Sequence, residues 1–157
     1  MNNEQRQMKL DWVIATIEHK GCFGVNAERK TKKPSEYRQL NPTFQITFKE
    51  KELVAMRKFH KFMDFGNITY QDNKKYLKND KTSNAYKYNI SGKHDAVKFI
   101  KRIPEKKFLT TKQEQYRTWA KIVNITSKNT LSELTSEQMN MLERLKTKLA
   151  KQKTIKE

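Results

Sequence analysis

The sequence predicts an α+β fold in the order α-β-β-α-β-β-α, with two pairs of strands and extra C-terminal helices. Three observations carry that expectation. Apolar residues recur at helical spacing in several separate windows, two pairs of segments alternate apolar and polar with period two, and Gly or Pro closes most of the helical windows. At 157 residues the chain is long enough for one core and too short for two full-sized ones. It reads as a single domain over 1–157, with a core at about 8–125 and a helical extension over 126–157.

Each element follows from its own pattern. Leu10, Val13, Ile14 and Ile17 share one helical face, so a helix runs from about Gln5 to Lys20 and stops at Gly21. From Cys22 to Lys33 and from Glu36 to Phe48 the period changes to two. Phe23, Val25 and Ala27, then Leu40, Phe44, Ile46 and Phe48, alternate with polar residues, which predicts two half-buried strands around a Thr31 to Ser35 turn. Leu53, Met56, Phe59, Phe62 and Met63 restore helical spacing over Lys51 to Asp64, ended by Gly66. A weaker strand pair follows at Asn67 to Tyr76 and Ala85 to Ile90, linked by the polar run Lys78 to Asn84. Ser91 is placed to cap a helix carrying Ala96, Val97, Phe99, Ile100 and Ile103, which Pro104 terminates. Thr111 with Glu114, and Thr135 with Gln138, have the spacing of capping boxes ahead of two further amphipathic helices. The tail from Lys148 to Lys156 is basic, favourable at a helix C-terminus and available to phosphate.

Charge narrows the partners. The 34 Lys+Arg against 17 Asp+Glu leave a net charge of +17. Self-repulsion of that size is relieved most fully by a polyanion that releases counterions, which makes nucleic acid the leading partner. The alternative is a solvated basic surface. An acidic membrane is disfavoured because no Lys-rich segment faces an exposed apolar stripe, and no membrane span, signal peptide or Arg-rich transit peptide is expected, Met1 to Met8 matching neither leader. Lysine far outnumbers arginine and asparagine is common, the composition of AT-rich coding sequence; an organellar location, the mitochondrion favoured, is the expectation.

Most catalytic signatures are missing. There is no phosphate-binding Gly-rich loop and no Gly-x-Ser-x-Gly. His19, His60 and His94 fall on three different predicted helices or helix starts, and the lone Cys22 provides neither an internal disulfide nor a cysteine-based zinc site. The segment that stands out is Trp12-Val13-Ile14-Ala15-Thr16-Ile17-Glu18-His19-Lys20-Gly21-Cys22-Phe23. It resembles the signature helix of the LAGLIDADG homing endonucleases and maturases, which often read Trp-Leu-Ala-Gly-Phe-Ile-Asp-Gly-Glu-Gly-Cys-Phe. The resemblance extends over roughly residues 10 to 150. Phe44-Gln45-Ile46-Thr47 is similar to the family's second strand and Phe65-Gly66-Asn67-Ile68 to the start of its third. Phe108-Leu109 followed by Lys112 is similar to the segment bearing its active-site lysine, and Leu134-Thr135-x-Glu137 to its ending.

The resemblance implies a LAGLIDADG-type fold with a curved four-stranded antiparallel sheet whose polar face lies in the major groove. Those positions here are Asn26, Glu28, Lys30, Lys32 and Lys33, with Arg38, Gln39, Asn41, Thr43 and Gln45 opposite, and Thr69, Gln71, Lys74 and Lys75 on the second hairpin. Asn and Gln can pair bidentately with base edges while Lys and Arg neutralise phosphates, so the set suits reading; the competing view is an ordinary solvent face.

The resemblance also implies cleavage with a divalent metal held by the motif's last acid, just before the glycine. That position is Lys20. A charged ammonium has no lone pair for Mg²⁺, which demands anionic oxygen, and it repels the cation. Glu18 holds the other acidic position but lies about 200° round the helix. Phe48 stands where the family often has a polar active-site residue, while Lys112 keeps the basic match. Family helices cross through small residues; Ala15 is small and His19 is bulky, which argues against a tight homodimer.

Glu18, Lys20 and Lys112 therefore read as vestigial motif positions with no catalytic role, and Lys112 is kept among the expected nucleic-acid-binding residues. The expected function is a non-cleaving nucleic-acid binder without cofactor. Structured RNA is favoured over DNA, either an intron bound by a maturase or ribosomal RNA with ribosomal proteins in an organellar ribosome. Two alternatives stand beside it: an active DNA homing endonuclease acting as a homodimer with Mg²⁺, and a scaffold whose sheet binds protein.

Overall fold

A computed structural model describes residues 2–29, 37–73 and 83–154, with the side chains of residues 28, 29, 37–39 and 132 outside that description. Five α-helices and four strands lie in it: α1 (Asn3–Lys20), β1 (Cys22–Arg29), β2 (Tyr37–Lys49), α2 (Leu53–Met63), β3 (Asn67–Gln71), β4 (Ala85–Ser91), α3 (Lys93–Arg102), α4 (Lys112–Lys128) and α5 (Ser136–Thr154). The strands form one antiparallel sheet in the order β1-β2-β4-β3, so the fold is α+β as expected. Among the described residues no helix is long and apolar enough to cross a membrane.

The chain forms two compact units, residues 1–22 with 44–90 and residues 23–43 with 91–157. The first unit is built on α1, the end of β2, α2, β3 and β4. Asn2 caps α1 by accepting from the Gln5 N–H at 2.8 Å, and Val13, Ile14 and Ile17 are its buried stripe. Gly21 ends the helix, its N–H donating to the Ile17 carbonyl at 2.7 Å. A Cβ there would lie 2.9 Å from the Phe44 ring, so the residue must be this small for α1 to meet β2. Phe44, Phe48, Phe59 and Tyr88 pack ring against ring, with Phe59 and Tyr88 edge to face at 5.1 Å. Asp64 closes α2 with φ 62, and Gly66 follows with φ 94. Tyr88 OH donates to the Phe65 carbonyl at 2.8 Å, which holds this turn against the core.

The second unit is centred on Phe23 of β1. Its ring stacks on Tyr116 at 5.3 Å and meets Trp119 at 5.1 Å and Phe99 at 5.9 Å, joining α3 and α4 to the strand. Trp119 Nε1–H donates to the Gly24 carbonyl at 3.0 Å. Tyr116 OH donates to the Ile103 carbonyl at 2.6 Å, and burial raises its pKa further above the ordinary phenol range. α5 packs on α4 through Leu142, Leu145 and Leu149.

Several boundaries differ from expectation. Ser91 does not cap α3; it stays in β4, and Gly92, with no side chain to offer, is the N-cap. Thr111 makes no side-chain cap bond, because its backbone is already helical (φ −60, ψ −14) where a capping residue must be extended. Thr110 Oγ1 accepts the Lys112 N–H at 3.2 Å instead. The Thr135 and Gln138 box forms as expected, at 3.0 and 3.1 Å. β3 ends at Gln71, Asp72 is off the strand and Asn73 donates to the Ser83 carbonyl at 3.1 Å; the rest of the expected strand, Lys74 to Tyr76, and most of the linking run lie outside the described residues. The alternation in β1 fades: Phe23 is buried, Val25 half-buried and Ala27 exposed. Thr31 to Ser35 lies outside the described residues.

Gly66 offers a direct test of the first unit. A Cβ there would fall 2.6–2.7 Å from the Tyr88 ring and carry a positive φ. Gly66→Ala should therefore lower stability by roughly 2 kcal/mol or more, read by denaturant unfolding, whereas Gly92→Ala, with nothing within 4 Å, should cost only backbone strain.

Candidate nucleic-acid interface

The pleat of β2 sorts its side chains. Leu40, Pro42, Phe44, Ile46 and Phe48 are buried, and Asn41, Thr43, Gln45, Thr47 and Lys49 point the other way, half-buried or exposed. In the first unit β3 and β4 extend this polar face. Thr69 pairs with Lys87 and Asn67 with Asn89 in the β3–β4 ladder, and directly opposed residues share a face. Tyr86, Tyr88 and Ile90 take the core side, so Lys87 and Asn89 join Gln45, Thr47, Lys49, Asn67, Thr69 and Gln71 on the polar one. This set combines amide groups that can read base edges with ammonium groups that can neutralise phosphate. In the second unit Asn26 is exposed on β1, and Asn41 and Thr43 are half-buried on β2.

Of the expected binding residues, Asn26, Asn41, Gln45, Thr69 and Gln71 are on strands, with Gln45, Thr69 and Gln71 on one face. Arg38 and Gln39 lie on β2 with side chains outside the description, as does Glu28 on β1. Lys30, Lys32, Lys33, Lys74 and Lys75 lie outside the described residues. Lys112 is half-buried at the first position of α4. Lys87 and Asn89 were not anticipated, although the alternation Tyr86-Lys87-Tyr88-Asn89-Ile90 carries the signal.

The end of the motif helix holds a second feature. Lys20 Nζ sits 2.6 Å from Glu52 Oε2, with both side chains about a quarter exposed (25% and 29%), and lies 5.5 Å from the centre of the buried Phe48 ring. Glu52 Oε1 accepts the Lys49 N–H at 2.8 Å in the turn before α2. The Lys20 hydrogen bond, then that backbone bond, hold the Glu52 carboxyl below its ordinary pKa of 4.5 despite some desolvation. A divalent metal does not fit this donor set: one partner is a cation, and the carboxylate beside it is taken up by Lys20 and by backbone. Among the described residues no cluster of three His, Cys, Asp or Glu side chains is placed to hold a metal. Glu18 is half-buried on α1, and Ala15 and His19 are exposed on it with Met8 and Trp12. His60 bonds the Gly66 carbonyl at 3.0 Å, a structural role, and His94 is exposed.

Comparisons with known proteins agree with this architecture. A sequence profile described as LAGLIDADG endonuclease matches residues 17–123. The crystal structure of the homing endonuclease I-TnaI superposes with a TM-score of 0.69 at 17% identity, covering 92% of each chain. The archaeal intron-encoded homing endonuclease I-Vdi141I, complexed with DNA, gives 0.71 at 21% identity, over 93% of this chain and 84% of that one. I-SmaMI bound to an uncleaved DNA target with calcium gives 0.69 at 18%, over 91% of this chain and 45% of that one. A comparison with curated proteins found no match.

The Lys20 and Glu52 pair has a pH signature. A carboxyl whose folded pKa is depressed adds stability that is present above its unfolded value and is lost as pH falls through the folded one. Lys20→Met should lower stability near pH 7 by about 1 kcal/mol, the scale of a partly exposed pair. It should also make the loss of stability below about pH 4.5 shallower, so that the two denaturation curves converge in acid. Parallel curves at all pH values would show that the pair contributes nothing.

Proposed function

The chain belongs to the LAGLIDADG endonuclease family, and we propose that it is a member that binds nucleic acid on the polar face of its sheet without cutting it. One observation carries the second half of this reading: where the family motif places its metal-binding acid, this chain has Lys20, ion-paired to Glu52 at 2.6 Å. An ammonium at that point removes an anionic ligand and adds a repulsive charge, which opposes metal-assisted hydrolysis twice over. The binding half is supported by the +17 charge and by Gln45, Thr69, Gln71, Lys87 and Asn89 on one strand face.

Structured RNA is the favoured target, an intron or the ribosomal RNA of an organelle, with the mitochondrion as the favoured location. The family's maturase branch supports the RNA target, and the excess of lysine over arginine, a mark of AT-rich coding sequence, supports the organelle. Duplex DNA is the second reading, supported by the DNA complexes of I-Vdi141I and I-SmaMI.

Binding of the full chain to a folded RNA hairpin and to a duplex DNA, titrated across salt, separates these readings. Log affinity should fall linearly with log salt, by about 0.9 per phosphate neutralised on a duplex and about 0.7 on single strands. The RNA should be held more tightly, and both probes should remain intact after incubation with Mg²⁺ or Mn²⁺. Metal-dependent cutting of either probe overturns the non-cleaving reading; weak, salt-independent binding to both overturns nucleic-acid binding altogether.

A further inference from the structure

α5 ends on the same face of the second unit as Asn26, Asn41 and Thr43. The direction of the Gly24 Cβ position shows it. Phe23 and Val25 flank Gly24, and the Phe23 ring is buried against Phe99, Tyr116 and Trp119. Side chains alternate along a strand, so a Cβ on Gly24 would project from the opposite, polar face, the one that bears Asn26. The same holds across the ladder, where Thr43 stands between the buried Pro42 and Phe44. A Cβ on Gly24 would lie 3.0 Å from Thr43 Oγ1 and 3.9 Å from Lys153 Nζ. The ammonium of Lys153, the penultimate residue of α5, is therefore seated beside Gly24 on the β1–β2 part of the polar face.

Among the described residues no carboxylate forms an ion pair with Lys153. The Thr43 hydroxyl, Asn41 and the exposed Asn26 are uncharged polar groups on the same face, and the side chain of Glu28, two residues beyond Asn26, lies outside the description. The helix is anchored for this task. Leu142, Leu145 and Leu149 are buried, and Gln115 Nε2 donates to the Gln152 carbonyl at 3.5 Å, one residue before Lys153. A long, flexible ammonium held at the margin of a row of Asn and Thr side chains suits a phosphodiester group, which needs a point charge and little geometry.

We propose that Lys153 is a phosphate-binding residue of the nucleic-acid interface, standing beside Gly24 on the polar face. The C-terminal helix is then part of the binding surface as well as a packing extension of α4. The inference rests on the nucleic-acid-binding reading above, and its ligand is the phosphodiester backbone, common to RNA and DNA.

The test compares salt slopes of the full chain and three variants on a folded RNA hairpin and a duplex DNA. Lys153→Gln should make the slope on the duplex shallower by about 0.9 and weaken binding roughly tenfold near 0.1 M salt, with about 0.7 on single-stranded contacts. Lys153→Arg, which keeps the charge, should restore both. Lys121→Gln removes an exposed cation on α4, on the core side of the sheet, and should leave slope and affinity as in the parent chain. A Lys153→Gln variant that keeps the parental slope on both probes overturns the inference while parental binding stands. Equal losses in Lys153→Gln and Lys121→Gln also overturn it, since the effect is then one of net charge. A parent chain without salt-dependent binding overturns the functional reading and this inference together, and only that outcome removes both.

Discussion

The pleat of β2 is the constraint on which the rest of the molecule depends. Over residues 40–49 its side chains divide into an apolar row from Leu40 to Phe48 and a polar row from Asn41 to Lys49. A slip of one residue would turn the whole apolar row to solvent, so register and burial enforce each other. β2 lies second in the sheet, and its residues up to Thr43 belong to one compact unit and those from Phe44 to the other, so each unit takes an apolar and a polar side from its own part of the strand. The core and the candidate interface are therefore two readings of one stretch of sequence. Changes on the polar row can alter what is bound without disturbing what is buried, a separation suited to a binding surface.

How much of this was legible in the sequence depends on the range of the interactions involved. Patterns produced by a single element's own periodicity were readable: the buried stripe Val13, Ile14 and Ile17, the β2 alternation, and the Thr135 and Gln138 box all arise within a few residues. Caps at Ser91 and Thr111 were misread for a local reason. Residue type was right, but a cap needs an extended backbone at one position, and Ser91 was claimed by the β4 ladder while Thr111 was already helical. The Lys20 partner was illegible because 32 residues separate it from Glu52 and no local pattern links them. Lys87 and Asn89 were missed although their alternation was visible, because the strand pair that carries them has one very short member.

Two glycines show how absence of a side chain positions function here. Gly21 lets the Phe44 ring come within 2.9 Å of where a Cβ would be, which brings the end of the motif helix close to β2. Gly24 does the equivalent on the polar side, leaving room for the Thr43 hydroxyl, which would lie 3.0 Å from a Cβ. Neither has the positive φ that singles out Gly66 and Gly92. They are small because something else needs the room.

The ion pair at the end of α1 also restricts the chain's future. An acid restored at position 20 would not simply recover a metal ligand. It would strip Glu52 of its ammonium and set a second negative charge facing that carboxylate, whose other oxygen is bound to the Lys49 N–H. On the non-cleaving reading proposed above, an acidic site at this point would call for at least two coordinated replacements, the first of them unfavourable by itself. The ion pair then acts as a ratchet, making any step toward an acid at position 20 uphill.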